Sequence, residues 1–483
     1  MWPAANGLSE PLNGSEPLNG SGSGSSGVNR RHSGGGGVVR RHSSDGGFDA
    51  GLWSQMPRSP IYPKLSPSLG AHRESAQQVF VVSVDGSSTD GGLSTNLQTG
   101  FNLINNYVGM VLLSMSYCFA CCGWAALPLL ALLTAYGAYT GSLIVMSYTT
   151  IAHEGETVPS YAKIGERAMG KFGKWLVIVS SVIETIFAVV GMNVIVWQNA
   201  ALLLPRLRLQ TSAIACILIS FPFNWLNNFS LLSFVSAFGF LCVLLICAVT
   251  TYEALGATSV ASHSPVRWGG VPMAASIMLA GLTGHVSLPP MYCSMETPRD
   301  FHKVIVVSFS VMLLLYGWVG ICGYTVFGDA GSVLMTSDMS ANASGALGGI
   351  LVSLVLGGIS FKLFCSVPMC IVVLTDIGET LYLERNGEPL QEQSVLRLRI
   401  ALWTVCTLSA VASYGYLQYL TAFIGVNSML ISVLLPILFY MLIHRDGMSI
   451  LEALWFASLF VISCVVTVFL CYLDVEDFLK SLK

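Results

Sequence analysis

The chain has 483 residues, of which 53% are hydrophobic and only 10% charged, with a formal net charge of −3. This balance lies outside the range of soluble globular domains and describes an all-α integral membrane protein, with the lipid bilayer as its surroundings. No basic block of the kind that binds nucleic acid occurs, so no nucleic-acid partner is indicated.

Residues 1–95 are rich in Gly, Ser, Pro and Asn and repeat themselves, with Ser-Glu-Pro-Leu-Asn-Gly at 9–14 and 15–20 and Arg-Arg-His-Ser at 30–33 and 40–43. Such a stretch cannot bury enough apolar surface to offset its ordering entropy, and a disordered cytoplasmic tail is expected. Nothing of signal-peptide type follows Met1, so cleavage of the tail is not expected. Ser33 and Ser43 each follow two arginines and a histidine; they read equally as targets of a basophilic kinase or as an unmodified solvated linker.

A transmembrane domain over 96–483 follows. Eleven apolar stretches long enough to cross a hydrocarbon core are expected at 98–121, 124–151, 174–203, 211–226, 229–255, 271–293, 303–328, 346–375, 397–415, 419–443 and 450–473. The fourth is short and carries Pro222, and the ninth carries several small and polar residues. Between the second and third, Glu156 to Lys174 is too polar to span. Val158, Tyr161, Ile164, Ala168 and Phe172 recur there at approximate helical spacing, which predicts a surface helix.

With the amino terminus cytoplasmic, the inner loops carry Lys163, Arg167, Lys171, Lys174, Arg299, Lys303, Arg385, Arg397, Arg399 and Arg445, and the outer side only Arg206, Arg208, Arg267, Lys480 and Lys483. Positive charge gathers on the cytoplasmic side, so this orientation is the expected one. Of the sequons at Asn13, Asn19, Asn228 and Asn342, only Asn342 then faces away from the cytoplasm, as the expected glycosylation site. The thirteen cysteines lie almost all in apolar runs and imply no disulfide framework. Cys118-x-x-Cys121-Cys122 lacks a second ligand pair, so neither a metal nor a cofactor is expected.

The sixth stretch breaks its own pattern. Val271 to Ala280 reads as half a membrane helix, and Gly281, Gly284, His285, Pro289 and Pro290 then interrupt it; the bland alternative, a simple proline kink, explains Pro289 and Pro290 but not Gly281, Gly284 and His285. A helix interrupted in hydrocarbon is tolerated only inside protein or beside a water-filled cavity. Gly109 to Cys118 in the first stretch and Gly284 to Cys293 in the sixth share Gly, Val, Leu, Tyr and Cys in register. The pairing predicts a second break, at Gly109 to Leu112, beside the one at Gly281 to Ser287.

From Leu97 to Leu473 the chain resembles the amino acid/auxin permease family of secondary transporters, and most closely its vacuolar and vesicular amino acid transporter branch. The resemblance is carried by Asn106-Tyr-Val-Gly-Met-Val-Leu-Leu-Ser-Met-Ser-Tyr, Tyr161-Ala-Lys-Ile-Gly-Glu-Arg-Ala-Met-Gly, Gly284-His-Val-Ser-Leu-Pro-Pro-Met-Tyr-Cys-Ser-Met and Gly323-Tyr-Thr-Val-Phe-Gly. Ser116 departs from it, where the family usually has proline. The resemblance implies a leucine-transporter-like fold, a 5+5 inverted repeat with discontinuous helices 1 and 6, and eleven transmembrane helices in total.

An unwound segment offers N–H groups at one half-helix start and free carbonyls at the preceding half-helix end. An amino acid needs both. Its carboxylate is expected at the N–H groups around Gly109, Met110, Val111 and Leu112, and its ammonium at the carbonyls near Gly281, Thr283 and Gly284. His285 is read either as a substrate donor that titrates or as a neutral structural histidine.

Two charges inside apolar spans cost roughly 2.5 to 3.5 kcal/mol each at a helix centre and should face a cavity or a partner. Glu184 looks like the third-helix glutamate of the vacuolar and vesicular branch, and a carboxyl there suits reversible proton uptake; the bland reading is a structural carboxyl bonded to a neighbouring helix. Lys362 resembles the lysine that the branch carries in its eighth span, where an ammonium in place of sodium would bias coupling to protons. Its alternative is snorkelling to the cytoplasmic surface.

The expected function is secondary active, proton-coupled transport of amino acids across a vacuolar, lysosomal or vesicular membrane by alternating access. An amino acid sensor signalling through its tail is the alternative. No ring of charge or repeated filter suggests a channel, and no nucleophile constellation suggests an enzyme.

Overall fold

The computed structural model describes residues 93–481 apart from 156–158, 207, 226–230, 257–260 and 344. The repeats of the tail, Ser33, Ser43, Val158 and the sequons at Asn13, Asn19 and Asn228 lie outside the described residues. Among those residues the regular structure is helical, apart from an isolated bridge between Ser94 and Met295.

The elements follow the apolar runs. They are α1 (Asn96–Tyr107), a 3-10 turn (Met110–Ser114), α2 (Met115–Cys122), α3 (Ala126–His153), α4 (Tyr161–Leu203), α5 (Leu209–Ser220) and α6 (Leu231–Gly256). Then come α7 (Val271–Gly281), a 3-10 turn (His285–Ser287), α8 (Leu288–Cys293), α9 (Phe301–Phe327) and α10 (Met335–Asn342). The last are α11 (Gly345–Asn386), α12 (Glu392–Ser413), α13 (Leu417–Ser428), a π turn (Met429–Leu434), α14 (Leu435–Ile443) and α15 (Ile450–Ser481). A reciprocal cap opens α1: Thr95 Oγ1 accepts from Gln98 N at 3.3 Å and Gln98 Oε1 accepts from Thr95 N at 2.9 Å, which satisfies two orphan donors.

Nine helical segments among the described residues are long and apolar enough to cross a membrane. The difference from eleven has two sources. The first and second stretches run on as one segment from Met110 to His153, turned only at Gly123, whose φ is +73°. The fourth is the shorter apolar helix Leu209–Phe223, which Pro222 and its neighbours end in a 3-10 turn.

The polar stretch after α3 forms the expected amphipathic helix from Tyr161, but that helix ends before Phe172. Tyr161 and Ile164 are buried, Tyr161 stacking edge-on to Phe439 and donating to the Ile431 carbonyl of the π turn at 2.9 Å. Residues eight apart in a straight helix are separated by about 12 Å along its axis. Here a Cβ on Gly165 would come 2.6 Å from Gly173 O, because the backbone of α4 leaves helical geometry at Met169 and Gly170 (φ +62°) and doubles back. Phe172 lies past that bend and is exposed, not on the buried face of Tyr161 and Ile164.

The broken helices run antiparallel and are tied at both ends. At one end Ser94 N donates to Ser294 O at 2.7 Å and Glu296 N to Ser94 O at 2.9 Å, beside a 2.6 Å bond from Thr297 Oγ1 to Asn96 Oδ1. At the other, Arg267 N donates to Cys122 O at 3.1 Å and its guanidinium to Ala120 O at 2.6 Å, while Trp124 N donates to Ser264 O at 3.2 Å. The start of α1 therefore lies by the end of α8, and the end of α2 by the entry to α7. Their middles meet in a core where α13 packs on α7 and α11 packs on α4.

Candidate functional site

Two stretches of this antiparallel pair abandon helical geometry halfway along. α1 ends at Tyr107; Val108 is extended (φ −79°, ψ 92°), and Gly109 precedes the 3-10 turn that leads into α2. α7 ends at Gly281, and Gly284 precedes the 3-10 turn that leads into α8. The two glycines that align in the sequence thus occupy the same place, just ahead of a tightened turn.

Each glycine has its own reason. Gly284 has φ +141°, and a Cβ there would come 2.8 Å from the Tyr107 ring and 3.0 Å from Asn106 Nδ2, so only glycine lets the sixth-span break approach the first. At Gly109 a Cβ would meet no atom within 4 Å. Open space lies on that side. Asn106 is exposed, and Gly109, Thr283, Gly284 and Val286 are partly exposed, although all lie in the middle of apolar segments.

The breaks are stitched together. Asn106 Nδ2 donates to Ser287 Oγ at 3.0 Å, and that hydroxyl donates to Gly284 O at 2.6 Å. Gly281 faces Val111, whose Cγ1 would lie 3.0 Å from an added Cβ. Tyr316 of α9 places its hydroxyl 3.0 Å from Tyr107 O and 2.9 Å from Gly281 O. These are the orphan carbonyls of two helix ends.

Glu184 on α4 reaches the same place: its Oε1 accepts from Thr283 Oγ1 at 2.5 Å, and its Oε2 is buried without a hydrogen-bond partner among the described residues. Lys362 on α11 is 6% exposed and donates from Nζ to Val108 O at 2.6 Å. It points into the first break, not along its helix towards a membrane surface. Its stem lies against Gly239 of α6, where a Cβ would come 2.9 Å from Cδ and Cε.

His285 is 1% exposed, with Nε2 3.0 Å from Gly137 O and 3.2 Å from Thr140 Oγ1, and Nδ1 3.4 Å from Tyr107 Oη. A neutral ring with its proton on Nε2 satisfies this set, donating to Gly137 O and accepting from Tyr107. It sits in the packing between α3 and the breaks. Met110, Val111 and Leu112 are likewise buried, so they offer a ligand their backbone and not their side chains.

Gly109 to Leu112, Gly281 to His285, Glu184 and Lys362 therefore converge on one place. Asn342 stands apart, exposed at the end of α10. Tyr316 lies outside the motifs, and Asn106, which opens the first of them, is not among the candidate site residues read from the sequence. Asn106 carries a signal, as an amide in an apolar run just before a glycine, whereas Tyr316 is one of 17 tyrosines.

Residues 92–474 match the model of a family described as transmembrane amino acid transporter protein. Amino acid transporter AVT1I of Arabidopsis thaliana is 25% identical over 409 residues, covering 81% of this chain and 96% of that protein. Amino acid transporter AVT1E of the same plant is 27% identical over 370 residues, covering 73% of this chain and 67% of that one. Among solved structures, a Na+-coupled sialic acid symporter in a substrate-bound outward-open state aligns with a TM-score of 0.47 at 10% identity, over 83% of this chain and 94% of that one. A manganese transporter of Eremococcus coleocola aligns at 0.37 and 11% identity, over 87% and 96%.

Proposed function

The chain belongs to the transmembrane amino acid transporter family, and from that premise we propose that it is a proton-coupled secondary transporter of amino acids in an endomembrane, working by alternating access. Its family and its relatives are transporters, not enzymes. The observation that carries the finer reading is the Glu184 carboxyl hydrogen-bonded to Thr283 inside one of two abutting helix breaks. A zwitterion fits such a place: N–H groups of Gly109 to Val111 for its carboxylate, that of Leu112 being given to Gly109 O at 3.3 Å, and carbonyls of Gly281 to Gly284 for its ammonium. Glu184 is the proton carrier in this reading, and the Lys362 amine takes the position at a freed carbonyl that a coupling cation would otherwise need.

The antiparallel broken pair also supports a leucine-transporter-like 5+5 inverted repeat. Dividing Met110–His153 at Gly123 and letting the short helix Leu209–Phe223 cross a locally thinned bilayer brings the spans to eleven, with the amino terminus cytoplasmic. In that topology Asn342 faces the lumen. Treatment with an N-glycosidase is expected to shorten the apparent mass of the wild type and to leave Asn342→Gln unchanged; a shift that persists in the variant would move the topology.

The reading is tested with purified full-length protein in liposomes under an imposed pH gradient, with each labelled proteinogenic amino acid in turn. Accumulation that follows the pH gradient and ignores a sodium gradient is the expected result. Binding without flux would favour an amino acid sensor, and uptake driven equally by sodium would sink the proton assignment.

A further inference from the structure

We propose that Tyr316 is a positioning residue of the substrate site, whose single hydroxyl proton holds the two helix breaks at their working separation. The proposal rests on the reading of those breaks as the place where an amino acid binds. Tyr316 is completely buried on α9, which is part of neither broken helix. Its oxygen lies 3.0 Å from Tyr107 O and 2.9 Å from Gly281 O, the last carbonyls of α1 and α7.

A phenol has one proton to give and both neighbours are acceptors. In the middle of a membrane no bulk water takes the place of a missing donor, so each freed carbonyl depends on the protein or on a ligand. One hydroxyl thus serves two helix ends, and among the described residues the pair is left one donor short. A ligand ammonium is the group that makes up the deficit. Gly281 leaves room for this arrangement: a Cβ there would come 3.2 Å from the Tyr316 oxygen and 3.0 Å from Val111 Cγ1.

The role differs from that of Lys362 and Glu184. Those side chains each meet one break, through Val108 O and Thr283 respectively, whereas Tyr316 bonds both. Its loss is therefore expected to alter the geometry into which the substrate fits and to leave the coupling groups in place.

Tyr316→Phe keeps the ring and removes the hydroxyl. In liposomes holding the full-length protein, initial rates are compared with wild type for the amino acid that wild type transports fastest, with KM and the maximal rate taken separately. Amide hydrogen exchange at 107–109 and 281–284 is measured alongside, in detergent and without any amino acid. The expected result is a KM raised about tenfold, a maximal rate within about threefold, and exchange at both breaks about tenfold faster, the factor that one buried hydrogen bond carries. Exchange along α9 stays unchanged. A KM within twofold of wild type, or unchanged exchange at either break, overturns the proposal. Wild-type protein that carries no amino acid overturns the transport reading instead, and the exchange measurement still decides whether the tie exists. Should Tyr316→Phe not be recovered folded, Gly281→Ala, which crowds the same hydroxyl together with Val111, is read by exchange alone: faster exchange at both breaks is expected, and unchanged exchange at 107–109 overturns the proposal.

Discussion

Replacing Lys362 with methionine is expected to lower pH-gradient-driven uptake by roughly 10- to 150-fold while the protein remains folded. Methionine keeps an unbranched apolar stem in the space against Gly239, where the lysine methylenes pack, so little volume is lost. What disappears is the donor to Val108 O, 2.6 Å from Nζ. A hydrogen bond involving a charged group contributes about 1.5 to 3 kcal/mol, which sets the range given. The neighbouring carbonyl is left facing no donor at the point where α1 must bend into its 3-10 turn. Lys362→Arg is expected to fare no better, because a planar guanidinium is broader than the slot beside Gly239. Initial uptake in liposomes, normalised to inserted protein, checks both. Proton-driven uptake by Lys362→Met within twofold of wild type would remove the amine from the coupling scheme.

The second large effect is expected at Glu184. Glutamine there still offers an oxygen to Thr283 Oγ1, which donates to the carboxyl at 2.5 Å in the native protein, but it cannot take up and release a proton. A gradient of one pH unit contributes about 1.4 kcal/mol per proton and sustains about a tenfold substrate gradient at one proton per substrate. Glu184→Gln is expected to lose that accumulation, with internal and external amino acid equalising. Exchange of labelled for unlabelled amino acid, which needs no net proton movement, is expected to continue within a few-fold of wild type. The two assays separate coupling from binding. Accumulation that survives in Glu184→Gln would assign the proton elsewhere.

What could be read from the sequence is the part of the site that is encoded locally. Gly281, Gly284, Pro289 and Pro290 are close neighbours, and their effect on a helix follows from their own backbones. Glu184 and Lys362 stand out because a charge in an apolar run needs a reason. Their partners do not stand out: the Lys362 bond to Val108 O spans 254 residues of chain, and the Glu184 bond to Thr283 spans 99. Tyr316 was illegible for the same reason, since a tyrosine in an apolar span looks like any other until two distant carbonyls are brought to its hydroxyl. The polar stretch after α3 misled in the opposite sense. Its spacing of Tyr161, Ile164 and Phe172 follows one helix face, but Gly170 at φ +62° turns the chain before that face is complete. His285 shows a third limit. Its place in a break invites a role towards substrate, and the structure surrounds it with the oxygens of Gly137, Thr140 and Tyr107.

The ties at the two ends of the broken pair act as the two stops of a seesaw. Each broken helix abandons helical geometry where it meets the other and is clasped at its ends, by the Ser94–Met295 bridge on one side and by Arg267 on the Ala120 and Cys122 carbonyls on the other. In the proposed transport cycle, opening towards one side would release that side's clasp alone, while the opposite clasp would keep the far end shut. Letting both go at once would leave a leak. The clasp formed by Ser94 also lies immediately before α1, at the threshold that the first 93 residues share with the rest of the chain.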